Sequence, residues 1–133
     1  MQKTAKQQIK PKSIPPKKET GNKGEEIAVQ YLQSLGYKIL ERNWRIRHYE
    51  LDIIARDGNE LVIVEVKART GEKYEHPAEA VGNKKIRYLI NAAESYIHKK
   101  NVNLNTRFDV ISVIFLEKDF KLEHFKDAFH PTA

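Results

Sequence analysis

The chain contains no cysteine, which excludes disulfide bonds and thiolate zinc sites. It has no run of about 18 apolar residues, and its start lacks the apolar centre of a signal peptide. We therefore expect a soluble, cytoplasmic protein without a membrane segment. Glycine-rich phosphate loops, nucleophile elbows and dinucleotide fingerprints are also missing, which gives no support to a small-molecule enzyme. The histidines lie far apart, without the spacing of metal ligands: His48, His76, His98, His124 and His130.

The net charge of +6 over 133 residues is unevenly distributed. Residues 1–20 contain six lysines and one glutamate, so they hold nearly all of the positive excess. Pro11, Pro15 and Pro16 and the lack of an apolar face predict a disordered basic tail over 1–20. This tail either keeps the protein in solution or attracts a phosphate backbone. Residues 21–133 are predicted to form a single domain.

Apolar periodicity predicts two helices. The first is expected to begin at Asn22, with Glu25 and Glu26 in its first turn, and to end at Gly36. The second follows a polar loop that contains Gly71 and Pro77. Their apolar stripes comprise Ile27, Ala28, Tyr31, Leu32 and Leu35 in the first helix, and Ile86, Leu89, Ile90, Ala93 and Ile97 in the second.

Five segments have strand composition. YKILERNWRI, ELDIIARD and ELVIVEVKAR lie between the helices and predict an antiparallel meander, while RFDVISVIF and FKLEHF follow the second helix. The order of helix, three strands, helix and two strands predicts an α/β fold in which helices flank a mixed sheet.

The turn DGN between the second and third strands determines which side chains meet. If residues 58 and 59 form a two-residue turn, Asp52 lies opposite Glu65. If residues 57 and 58 form it, the two carboxylates are diagonal neighbours on one face. A three-residue loop would place them on opposite faces.

Both faces of this hairpin carry apolar residues. One face is predicted to be a core layer of Leu51, Ile53, Ala55, Val62, Val64 and Val66, and Ile54, Leu61 and Ile63 indicate that the other face is covered too. The carboxylates would then gather at one end of a buried sheet, where unpaired charge is costly. A cation is expected to compensate them.

Mg²⁺ suits this position, because it takes oxygen ligands and usually keeps waters and a substrate phosphate. Lys67 lies on the same side as Glu65 and could activate water or stabilise charge on a phosphate. This combination is typical of phosphodiester hydrolysis. Glu-x-Lys alone is weak, however, because Glu65 and Lys67 could be ordinary strand residues that pair with Glu50.

The segments ELDIIA (50–55) and VEVKAR (64–69) resemble the PD-(D/E)xK signature of the restriction-endonuclease-like superfamily. GNKGE (21–25), RN (42–43), Lys85 and RFD (107–109) resemble the YraN family of uncharacterised bacterial proteins over residues 21 to about 115. The pattern of that family is similar to archaeal Holliday junction resolvases, which are metal-dependent nucleases with an αβββαβ core. The resemblance implies this core for the present chain.

Carried over by motif, the resemblance implies that Asp52 and Glu65 are ligands of Mg²⁺ or Mn²⁺ and that Lys67 is the catalytic lysine. Glu25 would be a further metal ligand, unless it only favours the start of the helix. Lys85 and Arg69 would contact phosphate, unless they are simply solvated.

Two further positions bear on the resemblance. Tyr49 stands where the family usually has glycine, so it could stack on a base, narrow the site, or be an ordinary aromatic at a strand start. Arg107 and Asp109 share a strand face and are predicted to pair with each other.

The leading hypothesis is a Mg²⁺-dependent nuclease that hydrolyses phosphodiester bonds of DNA, including branched or structured DNA. The alternative is a catalytically inactive nucleic-acid-binding or DNA-processing accessory module. Junction-cutting relatives act as symmetric dimers, so the resemblance also raises the expectation of a homodimer.

Overall fold

The computed structural model of the protein describes residues 17–71 and 81–131. They form a mixed α/β fold whose element order is the predicted one. The elements are α1 (Lys17–Ser34), β1 (Lys38–Ile46), β2 (Tyr49–Asp57), β3 (Glu60–Thr70), α2 (Asn83–Lys100), β4 (Asn105–Phe115) and β5 (Phe120–Phe129).

The strands form one sheet in the order β1-β2-β3-β4-β5. The first three strands are an antiparallel meander, as predicted. β4 lies parallel to β3, and β5 returns antiparallel to β4. Two parallel neighbours need a long crossover between them, and α2 lies in this connection. The sheet is therefore mixed.

Each face of the sheet is covered by one helix, so both predicted apolar layers are buried. On the α1 side the core includes Ile27, Ala28, Leu32, Ile53, Ala55, Val62, Val64, Ile111 and Val113. On the α2 side it includes Ile54, Leu61, Ile63, Leu89, Ala92, Ala93, Tyr96 and Val110. Ile86, Ile90 and Ile97, predicted within the α2 stripe, are partly buried beside this second core. Neither helix in the described ranges is long and apolar enough to cross a membrane.

α1 begins at Lys17, so its predicted start at Asn22 was wrong. Lys17, Lys18 and Glu19 are good helix formers, and they directly follow Pro16, the last proline of the tail. Residues 17–20 of the predicted tail thus belong to α1, and residues 1–16 lie outside the described part of the chain. The predicted end is confirmed, because α1 stops at Ser34 and Gly36 has a φ of 93°.

The β2–β3 hairpin adopts the first of the predicted registers, in which residues 58 and 59 form the turn and Ile53 pairs with Val64. The ladder ends there, although β2 extends back to Tyr49 beside β1. Leu51 was predicted to share a face with Ile53, but it packs in the α2-side core. The strict alternation is lost because β2 separates from β3 at Asp52.

A buried ion-pair network lies at the end of the sheet near the β2–β3 turn. Arg107 binds Asp109 through two hydrogen bonds of 2.9 and 3.0 Å, which confirms their predicted pairing. The same guanidinium donates to Asp57 at 3.1 Å, to Glu60 at 2.7 Å and to the Tyr37 hydroxyl at 2.6 Å. Arg107 is only 8% exposed, so its charge depends on these partners.

Asp109, 1% exposed, is the centre of this network. Nε2 of His124 lies 2.7 Å from its carboxylate, and the Tyr31 hydroxyl lies 3.1 Å from Nδ1 of that histidine. Burial raises the pKa of Asp109, but hydrogen bonds from His124, Arg107 and the Asp127 backbone N–H outweigh burial and hold it below its usual value. The network thus joins α1, β4 and β5.

Gly24 allows α1 to approach β3 closely. A Cβ atom at Gly24 would lie 2.6 Å from the Cβ of Ala68, whereas one at Gly21 would meet nothing within 4 Å. We expect Gly24→Ala to lower the free energy of unfolding by about 1–3 kcal/mol, because the helix must move off the strand. Gly21→Ala should be neutral or stabilise by about 0.5–1 kcal/mol, because it only improves helix propensity. Urea titrations of both variants measure this, and equal effects would contradict the close contact.

We expect Arg107→Met to lower the free energy of unfolding by about 3–5 kcal/mol, because it leaves the buried carboxylate of Asp109 without its guanidinium. Arg56→Met is the matched control, since Arg56 is exposed at the same end of the sheet and donates to the Gly58 carbonyl at 2.8 Å. Its cost should stay below about 1 kcal/mol. Similar losses in the two variants would show that the network contributes little stability.

Candidate functional site

A cleft of about 740 Å³ opens where β2 separates from β3. It is lined by α1, β2 and the second half of β3, and its residues are Thr20, Gly21, Glu25, Asp52, Glu65, Val66, Lys67, Ala68, Arg69 and Thr70. The predicted catalytic residues Asp52, Glu65 and Lys67 therefore share one cleft. Glu25 and Arg69, which were predicted as a metal ligand and a phosphate contact, line it too.

Asp52 bridges the gap between the two strands. Its Oδ2 atom accepts a hydrogen bond of 2.9 Å from the backbone N–H of Val66. The side chain thus satisfies a β3 donor that lies beyond the end of the β2–β3 ladder. Asp52 also lies close enough to Glu65 for its charge to raise the pKa of that glutamate.

The electrostatic setting of the cleft disfavours negative charge on its acids. Glu65 is 7% exposed, and burial together with the charge of Asp52 raises its pKa to about 7 despite nearby Lys85 and Lys67. Burial also raises the pKa of Asp52. Burial and the charge of Asp52 raise the pKa of Glu25. Raised pKa values in neighbouring acids mark a place where a cation would be stabilised.

Glu25 lies more than two turns after the start of α1 at Lys17, so it is not a helix-start residue. Glu25 lines the cleft, and the nearby Asn43 side chain lowers its pKa, against the burial that raises it. Asn43 has a φ of 50°, an unusual value within a strand. The next residue, Glu26, pairs with Arg42 at 3.1 Å. The GNKGE and RN motifs of the sequence therefore meet beside the cleft.

Lys85 comes close to the site as an exposed cation that pairs with one of the site's acids. Its Nζ atom lies 3.5 Å from Oε2 of Glu65 and 4.7 Å from the ring centre of Tyr88. Tyr49 packs against Tyr88, with ring centres 5.2 Å apart, and is not among the residues that line the cleft. The structure thus places Lys85 and Tyr49 along one side of the site, and Arg69 within it.

Sequence reasoning did not identify two residues of this region as part of the site. Tyr88 fixes the strand beside the cleft, because its hydroxyl accepts from the Glu50 N–H at 2.6 Å and donates to the His48 carbonyl at 3.2 Å. Its position three residues after Lys85 on one helix face was an available signal. Thr20, 3% exposed, lines the cleft but was assigned to the tail.

The donor set fits a hard divalent cation. The acidic groups of the cleft offer only carboxylate oxygens, which Mg²⁺ and Mn²⁺ prefer. Within residues 17–71 and 81–131, no group of three or more His, Asp or Glu side chains is arranged to hold a metal ion. Two carboxylates are nevertheless enough for Mg²⁺, because it usually keeps waters and binds a phosphate of the substrate. Asp52 and Glu65 would hold the ion, with Glu25 beside them.

The fold and cleft define an α/β protein with carboxylates and a lysine where two inner strands of a mixed sheet, β2 and β3, separate. Comparison with protein families shows that a model of the uncharacterised protein family UPF0102 matches residues 24–113. The chain therefore belongs to this family, which is the YraN family expected from the motifs. The match includes Glu25, Asp52, Glu65, Lys67 and Lys85.

Several UPF0102 proteins are similar over nearly their whole length. One from Bacteroides thetaiotaomicron is 46% identical over 113 residues, which cover 85% of this chain and 93% of the relative. One from Clostridioides difficile is 48% identical over 114 residues, or 84% of this chain and 97% of the relative. One from Flavobacterium psychrophilum is 44% identical over 110 residues, or 83% and 92%.

The raised pKa of Glu65 gives stability a defined pH dependence. Glu65 binds its proton more tightly in the folded chain, so its contribution to stability is present below its ordinary pKa of 4.5 and is lost as the pH rises through about 7. In metal-free buffer, the free energy of unfolding of Glu65→Gln relative to the wild type should therefore be higher at pH 8 than at pH 5, by on the order of 2 kcal/mol. Urea titrations at both pH values measure the gain.

Glu94→Gln is the control for this comparison, because Glu94 is an exposed glutamate on α2. Its stability difference from the wild type at the two pH values is the baseline against which that of Glu65→Gln is compared. If Glu65→Gln shows the same difference from the wild type at pH 5 and pH 8, the carboxylate is not destabilised by its surroundings.

Proposed function

We propose that this protein is a metal-dependent nuclease that hydrolyses phosphodiester bonds of DNA, with water as the nucleophile. The observation that carries the proposal is the pair of neighbouring carboxylates, the half-buried Asp52 and the buried Glu65, in an open cleft that also contains Lys67. Neighbouring acids with raised pKa values are expected of a site that acquires a metal and a phosphate from solution.

The metal would be Mg²⁺ or Mn²⁺, held by Asp52 and Glu65 with Glu25 as a further carboxylate. When bound, it would supply Lewis-acid polarisation of the phosphate and a template for the attacking water. Asp52 contributes a second property, because its hydrogen bond to the Val66 N–H fixes the carboxylate in position. A fixed ligand avoids the cost of reorganisation when the substrate arrives.

Lys67 lies two residues after Glu65 on β3, so both side chains point to the same side of the strand. Its ammonium group would orient or deprotonate the attacking water, or stabilise the charge that develops on the phosphate. Arg69, the next residue on that side, lines the same cleft and is suited to hold an adjacent phosphate.

The sequence resemblance to PD-(D/E)xK nucleases and archaeal Holliday junction resolvases supports DNA as the substrate, including branched DNA. It also supports a homodimer, because two related strands are cut at a junction. The ion pair of Lys85 with Glu65 favours the second candidate, a nucleic-acid-binding or DNA-processing module without hydrolysis, since it partly neutralises a metal ligand.

Calorimetric titration with Mg²⁺ and Mn²⁺ tests the proposal directly. We expect Asp52→Asn to abolish metal binding and Glu25→Gln to weaken it about 10-fold or more, because each removes a carboxylate charge from the cleft. Glu26→Gln is the matched control for Glu25→Gln, since it is the next residue on α1 and pairs with Arg42 outside the cleft. It should bind metal like the wild type.

The same proteins are then incubated with labelled linear, nicked and four-way-junction DNA. Metal-dependent cleavage by the wild type and by Glu26→Gln, but not by Asp52→Asn or Lys67→Ala, is the expected result. Metal binding without cleavage of any DNA would favour the accessory module. If neither metal binds the wild type, the nuclease proposal is wrong.

A further inference from the structure

A basic and aromatic surface lies beside the cleft, formed by the β1–β2 turn and the first turns of α2. Arg45, Arg47 and His48 are exposed around the turn, and Lys84 and Lys85 are exposed on the helix. Lys84 precedes Tyr88 by four residues, so it lies on the helix face that contacts the turn. We call these five residues, with Tyr49 and Tyr88 between them, the turn–helix surface.

A continuous series of ring contacts connects this surface to the cleft. The rings of His48 and Tyr49 lie 4.2 Å apart with 36° between their planes, and Tyr49 lies 5.2 Å from Tyr88. Lys85 sits over the Tyr88 ring and reaches Glu65 at 3.5 Å. The exposed His48 is therefore the outer end of a chain of tilted and edge-to-face ring contacts that leads through Lys85 to a carboxylate of the site.

The turn is held rigidly against α2. The Tyr88 hydroxyl accepts a hydrogen bond from the N–H of Glu50 and donates one to the carbonyl of His48, so it binds the backbone on both sides of Tyr49. Arg45 also pairs with Glu50 at 3.4 Å and still remains 74% exposed. A surface fixed before a ligand arrives loses little conformational entropy on binding.

Arg47 occupies a backbone position that favours glycine. It is the first residue of a two-residue turn and has a φ of 56°. Such turns usually place glycine where φ is positive, because a side chain is strained there. A cation kept at a strained, exposed position is more consistent with a binding role than with a contribution to folding.

We propose that the turn–helix surface binds nucleic acid that carries an unpaired base next to a duplex. The base would stack on the exposed face of His48, and the flanking phosphates would contact Arg47 and Lys84. An acidic protein segment could use the cations but would leave the exposed imidazole of His48 and the rings behind it without a role. The inference rests on the proposed function, since it names the class of DNA delivered to that cleft.

Fluorescence anisotropy in EDTA tests this inference without any contribution from metal or cleavage. The probes are a blunt duplex, the same duplex with a single-stranded overhang, and the overhang strand alone. We expect the wild type to bind the overhang probe roughly 10-fold more tightly than the blunt duplex, as one stacked base can provide. His48→Ala should lose this preference while it keeps its affinity for the blunt duplex.

Arg47→Gly is the second variant, and it separates binding from folding. It removes a charge and also relieves the strained φ, so its melting temperature should equal or exceed that of the wild type. Its affinity for all probes should fall by a few-fold. The slope of log Kd against log salt should decrease by the amount that corresponds to the loss of about one phosphate contact. Lys38→Gln is the charge-matched control, because Lys38 is exposed at the far end of β1, roughly 25 Å away.

The inference is overturned if the wild type binds overhang and blunt probes equally, or if Arg47→Gly and His48→Ala bind like the wild type. The same experiments distinguish a failure of this inference from a failure of the nuclease proposal. Binding with these mutational effects but without metal-dependent cleavage would reject only the nuclease. Cleavage that is unaffected by the turn–helix variants would reject only this surface.

Discussion

β3 is paired along its whole length with β4 on one side, but along only part of its length with β2 on the other. It pairs with β4 from Glu60 to Thr70, but with β2 only as far as Val64. A backbone N–H left unpaired inside a covered sheet is costly, and the Asp52 carboxylate removes this cost by accepting from Val66. That hydrogen bond draws a charged group into a buried position beside Glu65. The cleft and its raised pKa values follow from this half-paired strand.

Much of the fold could be predicted because it depends on local patterns. Helical and strand periodicity gave the element order, and both two-residue turns that the DGN sequence allowed keep Asp52 and Glu65 on one face, whereas a three-residue loop would have separated them. The position of Leu51 was wrong because alternation assumes that β2 stays paired. Where β2 separates depends on the rest of the sheet, which the hairpin sequence does not contain. The start of α1 was predicted too late, because the prolines led us to assign the helix formers after Pro16 to the disordered tail.

The candidate site was predictable to a similar extent. The hairpin alone indicated Asp52, Glu65 and Lys67, whereas Glu25 was assigned only through the resemblance, since its approach depends on how α1 packs against β3. Lys85 was expected near the site, but its pairing with a carboxylate could not be predicted without the path of α2. The spacing of Tyr88 from Lys85 placed it on the same helix face, but its role depends on the path of α2, which brings its hydroxyl to a distant turn.

Because β3 pairs with a strand that lies after α2 in the sequence, the parts of the site are synthesised at different times. Asp52 and Glu65 are only a hairpin apart, so they can meet as soon as β2 and β3 form, while both carboxylates are still hydrated. α2 supplies Lys85, which pairs with Glu65, and β3 gains its second neighbour only from residues 105–115. During synthesis on the ribosome, the hairpin therefore emerges before the lysine that pairs with Glu65 and before the strand that completes the sheet. The two acids are thus present in the nascent chain before the partners that the complete sheet gives them.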